Sequence, residues 1–382
     1  MSDREQVNRR IVLIVGPLLP TGGVTRYLRQ LLGWSGRYSY RCFNSARPPK
    51  TTLTRKVGYA MILSAGPMRA LKGTFITLKN LAVFPHAVRE SRCSMVHICG
   101  GSHWVFWENA YYVLAAKALG RSVTMHYLGP IDLYWEGSGS IERAAIRWVL
   151  CRLDALFVLS AVDEKTAAAI GVGSPTTVVP SNVRVSDYPS PTQRTGATDD
   201  STTVLFVGGL DPMRKGLLDV HAGVRVLAEE AVPLRIVITG QAGAEDLERF
   251  APGMRALAVF DFAGYPSDAE MVALYASCDM LILPSYDEGL PYVIIEALAS
   301  GLAVVASDVG GISDAVRDGV NGILIKPGAA DQLADAIRRL SADADYRREL
   351  GERGRQIAAE EFSTDDCLAR LERVFDRVLA GS

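Results

Sequence analysis

The stretch Pro284-Ser285-Tyr286-Asp287-Glu288-Gly289-Leu290-Pro291-Tyr292-Val293-Ile294-Ile295-Glu296 decides how the rest of the chain is read. An apolar run, Met280–Leu283, leads into it and reads as a strand. A tight loop follows, and Pro291 suits the first turn of a helix, where its missing N–H costs nothing. The helix is expected to run through Glu296 and Ala297 and to stop at Gly301. In open α/β sheets ligands bind beyond the carboxyl ends of strands, which is where this loop falls. Backbone N–H groups at Gly289 and Leu290 are placed to meet phosphate at the helix N-terminus, and Ser285 lies in the same loop. Glu288 on the loop and Glu296 on the helix would be repelled by phosphate, so they suit sugar or ribose hydroxyls. The plainer alternative is that both complement the helix dipole.

Outward from this stretch the chain alternates short apolar runs with helical patterns. In the first half the strands are expected at Ile11–Gly16, Tyr40–Phe43, Met95–Cys99, Val123–Leu128, Ala155–Ser160 and Thr177–Val179. They are continuous apolar runs, as parallel strands covered on both faces require. From Ser186 to Thr202 the composition turns to Pro, Ser, Thr and Asp, which reads as a linker. The alternation then restarts at Val204–Val207, Arg235–Thr239, Val259–Phe262, Met280–Leu283, Ala303–Ala306 and Ile323–Ile325. The fold class expected is therefore α/β, with two Rossmann-like doubly wound domains facing across a cleft. Their expected extents are 1–186 and 203–363, joined by a linker over 187–202. The tail from Thr364 is amphipathic through Leu368, Leu371, Val374, Phe375 and Leu379, and is expected to pack back on the first domain.

Two further strand-to-helix loops carry chemistry. Phe206-Val207-Gly208-Gly209-Leu210-Asp211-Pro212-Met213-Arg214-Lys215-Gly216 brings two cations to a helix start. Fixed cations there suit a diphosphate, whose charge they neutralise as it departs. Leu18-Leu19-Pro20-Thr21-Gly22-Gly23-Val24-Thr25-Arg26 has paired glycines that let a backbone approach a ligand closely. Each loop on its own is also compatible with an ordinary surface turn, the glycine pair more so than the paired cations.

Together the three loops resemble the retaining GT-B glycosyltransferases of family GT4, glycosyltransferase group 1. The match is densest from Val204 to about Phe362, where Glu288 and Glu296 stand in the family's Glu-x7-Glu spacing inside PSYDEGLPYVIIEALASGLAVVASDVGGISDAVRDGVNGILIKPG. Tyr275-Ala276-Ser277-Cys278-Asp279 fits as well, while the first half matches loosely through Gly22-Gly23, His126, Ser160 and Pro180-Ser181-Asn182.

The resemblance implies a catalytic set of Glu288, His126 and Lys215. Lys215 would bind the donor diphosphate, Glu288 the transferred sugar's hydroxyls, and Glu296 the ribose. Gly23, with Gly22, would lie beside the donor phosphates, Gly209, Ser285, Gly289 and Leu290 would join the donor-binding set, and His126 would face the sugar from the other domain. The family places an arginine where this chain has Gly209; Arg214 is expected to supply that charge. The reaction implied is transfer of a hexose-type sugar from a UDP- or GDP-sugar to a glycan or lipid-linked acceptor, with retained configuration. It would use no metal and no protein base. A non-catalytic sugar-nucleotide or glycan-binding subunit and a sugar-nucleotide epimerase stay open as other readings.

Bulk properties agree with a two-domain enzyme. The 382 residues exceed one typical core, and 48% hydrophobic with 22% charged residues excludes disordered and fibrous classes. Six scattered cysteines without a CxxC pair read as reduced thiols. No secretory signal or spanning segment is read, so a cytoplasmic location is expected. Net charge is −1, yet residues 1–100 hold 16 Lys+Arg against three acids. That basic quarter, with the apolar and cationic mixture over Leu53–Val88, suggests peripheral contact with an anionic membrane surface. No nucleic acid is expected. Asp343-Ala344-Asp345 has the form of a metal-binding DxD but lies between helical patterns, where Asp suits a cap. His97, Cys99 and His103 have no fourth ligand at zinc-site spacing and are assigned to a strand end and its loop.

Overall fold

The computed structural model describes residues 9–18, 22–46, 67–190, 201–208, 211, 213–240, 248, 252, 253, 257 and 259–381, with side chains of 67–72 excepted. Gly209 and residues 191–200 of the expected linker therefore lie outside the described residues, as do 53–66 of the basic segment.

Twelve strands are found among the described residues. They are β1 (Ile11–Gly16), β2 (Ser39–Asn44), β3 (Met95–Gly100), β4 (Ser122–Tyr127), β5 (Ala155–Val158), β6 (Thr176–Val178), β7 (Thr202–Val207), β8 (Leu234–Thr239), β9 (Phe260–Gly264), β10 (Met280–Leu283), β11 (Ala303–Ser307) and β12 (Gly322–Ile325). The helices of the first half are α1 (Gly23–Leu32), α2 (Pro67–Ser91), α3 (Trp104–Ala118), α4 (Ile131–Glu136), α5 (Ser140–Leu150) and α6 (Ala161–Ile170). Those of the second half are α7 (Leu217–Glu229), α8 (Asp268–Ser277), α9 (Tyr292–Ala299), α10 (Ile312–Ala315), α11 (Ala330–Ala342), α12 (Ala344–Glu361) and α13 (Thr364–Ala380).

The strands form two parallel six-stranded sheets, ordered β2-β1-β3-β4-β5-β6 and β12-β11-β10-β7-β8-β9. Central strands such as β3, β7, β10 and β11 are buried along their whole length, while the edge strands β2 and β9 alternate toward solvent. That difference is what burial on both faces against burial on one requires. Helices flank each sheet in the doubly wound manner. The helix starts obey local chemistry: Ser267 and Glu270 form a capping box on α8, and Ser160 caps α6 by accepting from Asp163 N at 3.1 Å. Asp343 caps α12 by accepting from Tyr346 N, which is the role its DxD partner-spacing disguises.

The chain divides into two compact units. One holds the described residues up to Pro180 together with α13; the other is Ser181–Ser363. The division falls ahead of the change in composition at Ser186, and hydrogen bonds explain it. Ser181 Oγ donates to Leu290 O at 2.6 Å and Val183 N donates to Phe362 O at 2.8 Å, so the chain is tied to the second unit from Ser181 onward. Arg355 adds bonds to the carbonyls of Val185, Tyr188 and Pro189.

Helix α13 closes the first unit. Phe375 lies edge-on to Tyr38, His97 and Phe157, with ring centroids 5.7, 5.2 and 5.9 Å away. Glu372 is 2% exposed and accepts from Arg37 N at 2.9 Å and from Tyr40 Oη at 2.8 Å. This face of the sheet carries Ile14, His97, Thr124 and Phe157; the opposite face carries Leu13, Val15, Val96, Ile98, Met125 and Val158 in the larger apolar core.

Phe375→Ala should cost about 3–5 kcal/mol, as truncation of a fully enclosed phenylalanine does. Urea unfolding read by probes in each unit should show the loss in the first unit's transition only. A change below about 1 kcal/mol would contradict the packing of α13 described above.

Candidate functional site

The strand order of the second unit reverses between β7 and β10, the switch point at which open α/β sheets hold ligands. The loops after these neighbouring strands are the two that the sequence singles out around Lys215 and Glu288. Two glycines allow close backbone approach here, Gly216 between these two loops and Gly310 from the segment after β11. Gly216 has φ 85°, and a Cβ there would meet Pro284 O at 2.0 Å. Gly310 has φ 54°, and a Cβ there would meet Glu288 O at 1.8 Å. Both the left-handed conformation and the close approach demand glycine.

Charge then locks the loops. Lys215 Nζ donates to Glu288 Oε1, and Ser285 Oγ donates to the same oxygen at 3.0 Å. Arg214 Nη1 donates to Asp287 O at 2.5 Å and pairs with Asp287 Oδ1 at 3.1 Å, while Arg214 N donates to Asp211 Oδ1 at 3.3 Å. Tyr286 N donates to Arg214 O at 3.0 Å. Glu288 is 7% exposed and Ser285 is fully buried. Burial alone would raise the Glu288 pKa, but the charges of Lys215 and Arg214 and the hydrogen bonds from Lys215 and Ser285 overcome it and hold the carboxyl below its usual range. Burial likewise opposes the charge on Arg214, and Glu288, Asp287 and Asp211 more than restore it.

Helix α9 begins beyond Pro291, its N-cap, with no acidic residue in its first turn. Gly289 O accepts from Gly311 N at 2.7 Å. Because the peptide is planar and trans, that bond turns the Leu290 N–H to the opposite side. Ser181 holds the next carbonyl, Leu290 O. Glu296, one face of α9 further on, is 2% exposed and its Oε2 accepts from Tyr275 Oη at 2.8 Å. Gly301, with φ 68°, ends the helix where the sequence predicts.

Ser285, Glu288, Gly289, Leu290, Arg214 and Lys215 are thus brought together, with Glu296 on the helix they introduce. Such a cluster can meet an anion with its cations and backbone N–H groups, and hydroxyls with its carboxylates. Asp211, Asp287, Tyr275 and Ser181 were not among the expected site residues. Ser181 and Tyr275 stand in stretches that fit the resemblance and Asp287 stands beside Glu288, but only the fold pairs Asp287 with Arg214 and Ser181 with Leu290.

The remaining expected residues lie in the first unit. Gly22 is the exposed N-cap of α1, its carbonyl accepting from Arg26 N at 2.9 Å, and Gly23 opens the helix. The structure places His126 in the core of its unit rather than at its surface. Its ring is fully buried, edge-on to Tyr27 at 4.7 Å and tilted against Phe157 at 6.0 Å. Burial drives its pKa down to about 3, with the neighbouring Val179 backbone opposing. Among the described residues no group of three or more His, Cys, Asp or Glu side chains could hold a metal ion.

Lys215→Met leaves Glu288 buried without its cation and should destabilise the second unit by about 3–5 kcal/mol. Adding Glu288→Gln should recover most of that loss in urea unfolding. In the native protein the depressed Glu288 pKa contributes stability above the ordinary carboxylate range, and that contribution disappears as pH falls through the lowered value. Equal stability of Lys215→Met and wild type at pH 7 would contradict the pairing.

Comparison with known proteins converges on this unit. Residues 190–357 match the model for glycosyl transferases group 1. A D-inositol 3-phosphate glycosyltransferase of Streptomyces bingchenggensis is 32% identical over 197 residues, covering 49% of this chain and 43% of that protein. One of the same name from Geodermatophilus obscurus is 34% identical over 198 residues, 49% and 41% of the two chains. The match thus spans less than half the length of these relatives. Among solved structures, a sucrose-phosphate synthase of Thermosynechococcus elongatus superposes with a TM-score of 0.75 at 19% identity, over 98% of this chain and 100% of that one. Anabaena HepE, solved in complex with UDP-glucose, gives 0.70 at 17% identity over 96% and 99%. The chain therefore has the GT-B fold, and the unit that carries Lys215 and Glu288 is similar, over residues 190–357, to the glycosyl transferases group 1.

Proposed function

We propose that the protein is a retaining glycosyltransferase that moves a hexose-type sugar from a UDP- or GDP-sugar to a glycan or lipid-linked acceptor. The observation that carries this reading is the Lys215–Glu288–Ser285 cluster at the switch point, directly ahead of α9. Arg214 and Lys215 would neutralise the donor diphosphate, and the N–H of Leu290 would bond to it or to the sugar. Glu288, kept ionised, is a strong hydrogen-bond acceptor for sugar hydroxyls, and Glu296 would take the ribose. In the transfer, the bond from the anomeric carbon to the donor phosphate oxygen breaks and a bond to the acceptor oxygen forms on the same face. The acceptor proton passes to the departing phosphate oxygen, so no protein base and no metal is required. The group 1 match and the UDP-glucose complex of HepE support the choice of a nucleotide-sugar donor.

The test is a panel of UDP-, GDP-, ADP- and TDP-sugars, scored for thermal stabilisation and slow hydrolysis with and without EDTA. One donor should raise the melting temperature, as any ligand of the folded state must. Its hydrolysis should survive EDTA and fall about 100-fold or more in Glu288→Ala. Tight donor binding without turnover would move a non-catalytic subunit ahead. Absence of binding to every nucleotide sugar would overturn the proposal.

A membrane-facing acceptor is favoured by helix α2. Its described outer face presents Phe75 at 69% and Leu78 at 59% exposure beside exposed Lys79, while Phe84 and Val88 turn inward. No acidic residue occurs in this helix before Glu90. Among the described residues no helix is long and apolar enough to cross a membrane. An apolar and cationic outer face is suited to lie on an anionic bilayer instead. Flotation with phosphatidylglycerol vesicles at low salt should capture the protein, and Phe75→Ser with Leu78→Ser should release most of it. Failure of the native chain to float would remove this part of the reading.

A further inference from the structure

Between the loops after β7 and β10, Arg214 and Lys215 face the carboxylates of Asp211, Asp287 and Glu288. Carboxylates outnumber cations there by three to two, so the loops offer an arriving anion no surplus of positive charge. A diphosphate gains countercharge by displacing a carboxylate from a cation. The three carboxylates differ in how freely they can leave.

Glu288 is the least free. Its side chain is 8% exposed and accepts from both Lys215 and Ser285; parted from them it would be a buried charge without a partner. Asp211 is tied to the backbone. Its Oδ1 accepts from Arg214 N at 3.3 Å, while its Oδ2 lies 3.9 Å from Arg214 Nε, beyond hydrogen-bond reach. Asp287 differs from both. Its side chain is 32% exposed, and its one hydrogen bond among the described residues is from Arg214 Nη1 to Oδ1 at 3.1 Å. A partly exposed ion pair of this kind is weak and exchanges readily.

The same Nη1 also donates to the Asp287 carbonyl at 2.5 Å, so the guanidinium keeps its place on the loop when the carboxylate turns out to water. A guanidinium carries five N–H donors. Among the described residues Nε and Nη2 of Arg214 make no hydrogen bond, which leaves donors in place for phosphate oxygens. We infer that Asp287 is an internal competitor for the donor's diphosphate: its carboxylate holds Arg214 until the diphosphate takes its place, and it thereby sets how tightly donor and released nucleotide are bound. Asp287 acts through Arg214 and is a positioning residue. That the anion belongs to a sugar donor rests on the glycosyltransferase reading; the exchange on Arg214 does not.

Calorimetric titration of the full chain with UDP, GDP, ADP, TDP and inorganic pyrophosphate, in EDTA, reads the exchange without turnover. Asp287→Asn should lower the Kd of the nucleotide that binds, and of pyrophosphate, by about threefold or more. Asp287→Ser should act in the same direction. A residue that merely braced the loop would weaken binding when replaced. In an Arg214→Gln background Asp287→Asn should have no effect, because the cation it competes for is gone. Asp345→Asn is the control for net charge. Asp345 is 83% exposed on α12, near the opposite edge of the sheet, where Arg347 lies 3.8 Å from Asp279 ahead of β10. That variant should bind as the native chain does.

Unchanged or weaker binding in Asp287→Asn and Asp287→Ser would overturn the proposal even where the native chain binds a nucleotide. So would an equal gain in the Arg214→Gln background or from Asp345→Asn. If the native chain binds none of the probes, binding gained in Asp287→Asn would uphold the exchange, and binding in neither would overturn it. Nucleotide-sugar binding by the native chain, measured alongside, decides the transferase reading separately.

Discussion

The ion pair between Lys215 and Glu288 joins two loops that also meet through the backbone bond from Tyr286 N to Arg214 O. Both groups are largely removed from water, Lys215 at 15% and Glu288 at 8% side-chain exposure. Two charges in such a place are tolerable only in each other's company, because the desolvation of either alone costs several kcal/mol. The positions of Pro284–Leu290 and of Asp211 and Met213–Gly216 are therefore set jointly. Gly216 and Gly310 supply the backbone clearance, and Ser285 and Arg214 complete the charge network. A ligand carrying phosphate and hydroxyl groups could exchange with this network one contact at a time: phosphate oxygens for the carboxylates on the cations, hydroxyls for the cations on Glu288. The cluster would stay neutralised throughout, which keeps the cost of opening it low.

The same constraint explains the second layer of the site. Glu296 is a carboxylate nearly without exposure, and Tyr275 from α8 holds one of its oxygens. Ser181 and Gly311 hold the carbonyls of the two peptides that lead into α9. At the far end of that helix Arg355 donates to Ala299 O as well as to the chain at Val185–Pro189. A guanidinium among the last carbonyls of a helix complements its negative end. Helix α9 is thus fixed at both ends by groups from elsewhere in its unit, so its N-terminal N–H groups have a defined direction.

Much of this was legible in the chain, and the parts that were not share a cause. Pro291 and Gly301 mark the limits of α9, and the seven-residue spacing of Glu288 and Glu296 survives in the fold, because both are local features. The edge of the first unit was not legible: residues 181–186 read as part of the first domain until the partner of Ser181, 109 residues away, is known. His126 shows the same limit. A histidine near a strand end invites a surface role, but alternation along β4 and the register that sets it opposite Cys99 and Phe157 turn it into the layer beneath α1 and α13. Strand register is decided by neighbours that sequence order does not reveal. Asp287 was passed over because its neighbour Glu288 carried the motif, although it is Asp287 that receives Arg214.

The two switch points differ in the kind of recognition they can support. Around Lys215 the groups are charged, buried and paired, so an anion entering there would do so by electrostatic exchange, which is strong in a dry environment. Around Ser102, after β3 where the strand order of the first unit reverses, they are a hydroxyl pair with Tyr127 and an exposed indole at Trp104, with the carboxylates of Asp132 and Asp163 acting on the Tyr127 hydroxyl. In the proposed transfer a departing diphosphate would need fixed countercharge, which only the first of these arrangements offers. The same doubly wound topology occurs in both units; the residues set at the strand ends give the two switch points different chemistry.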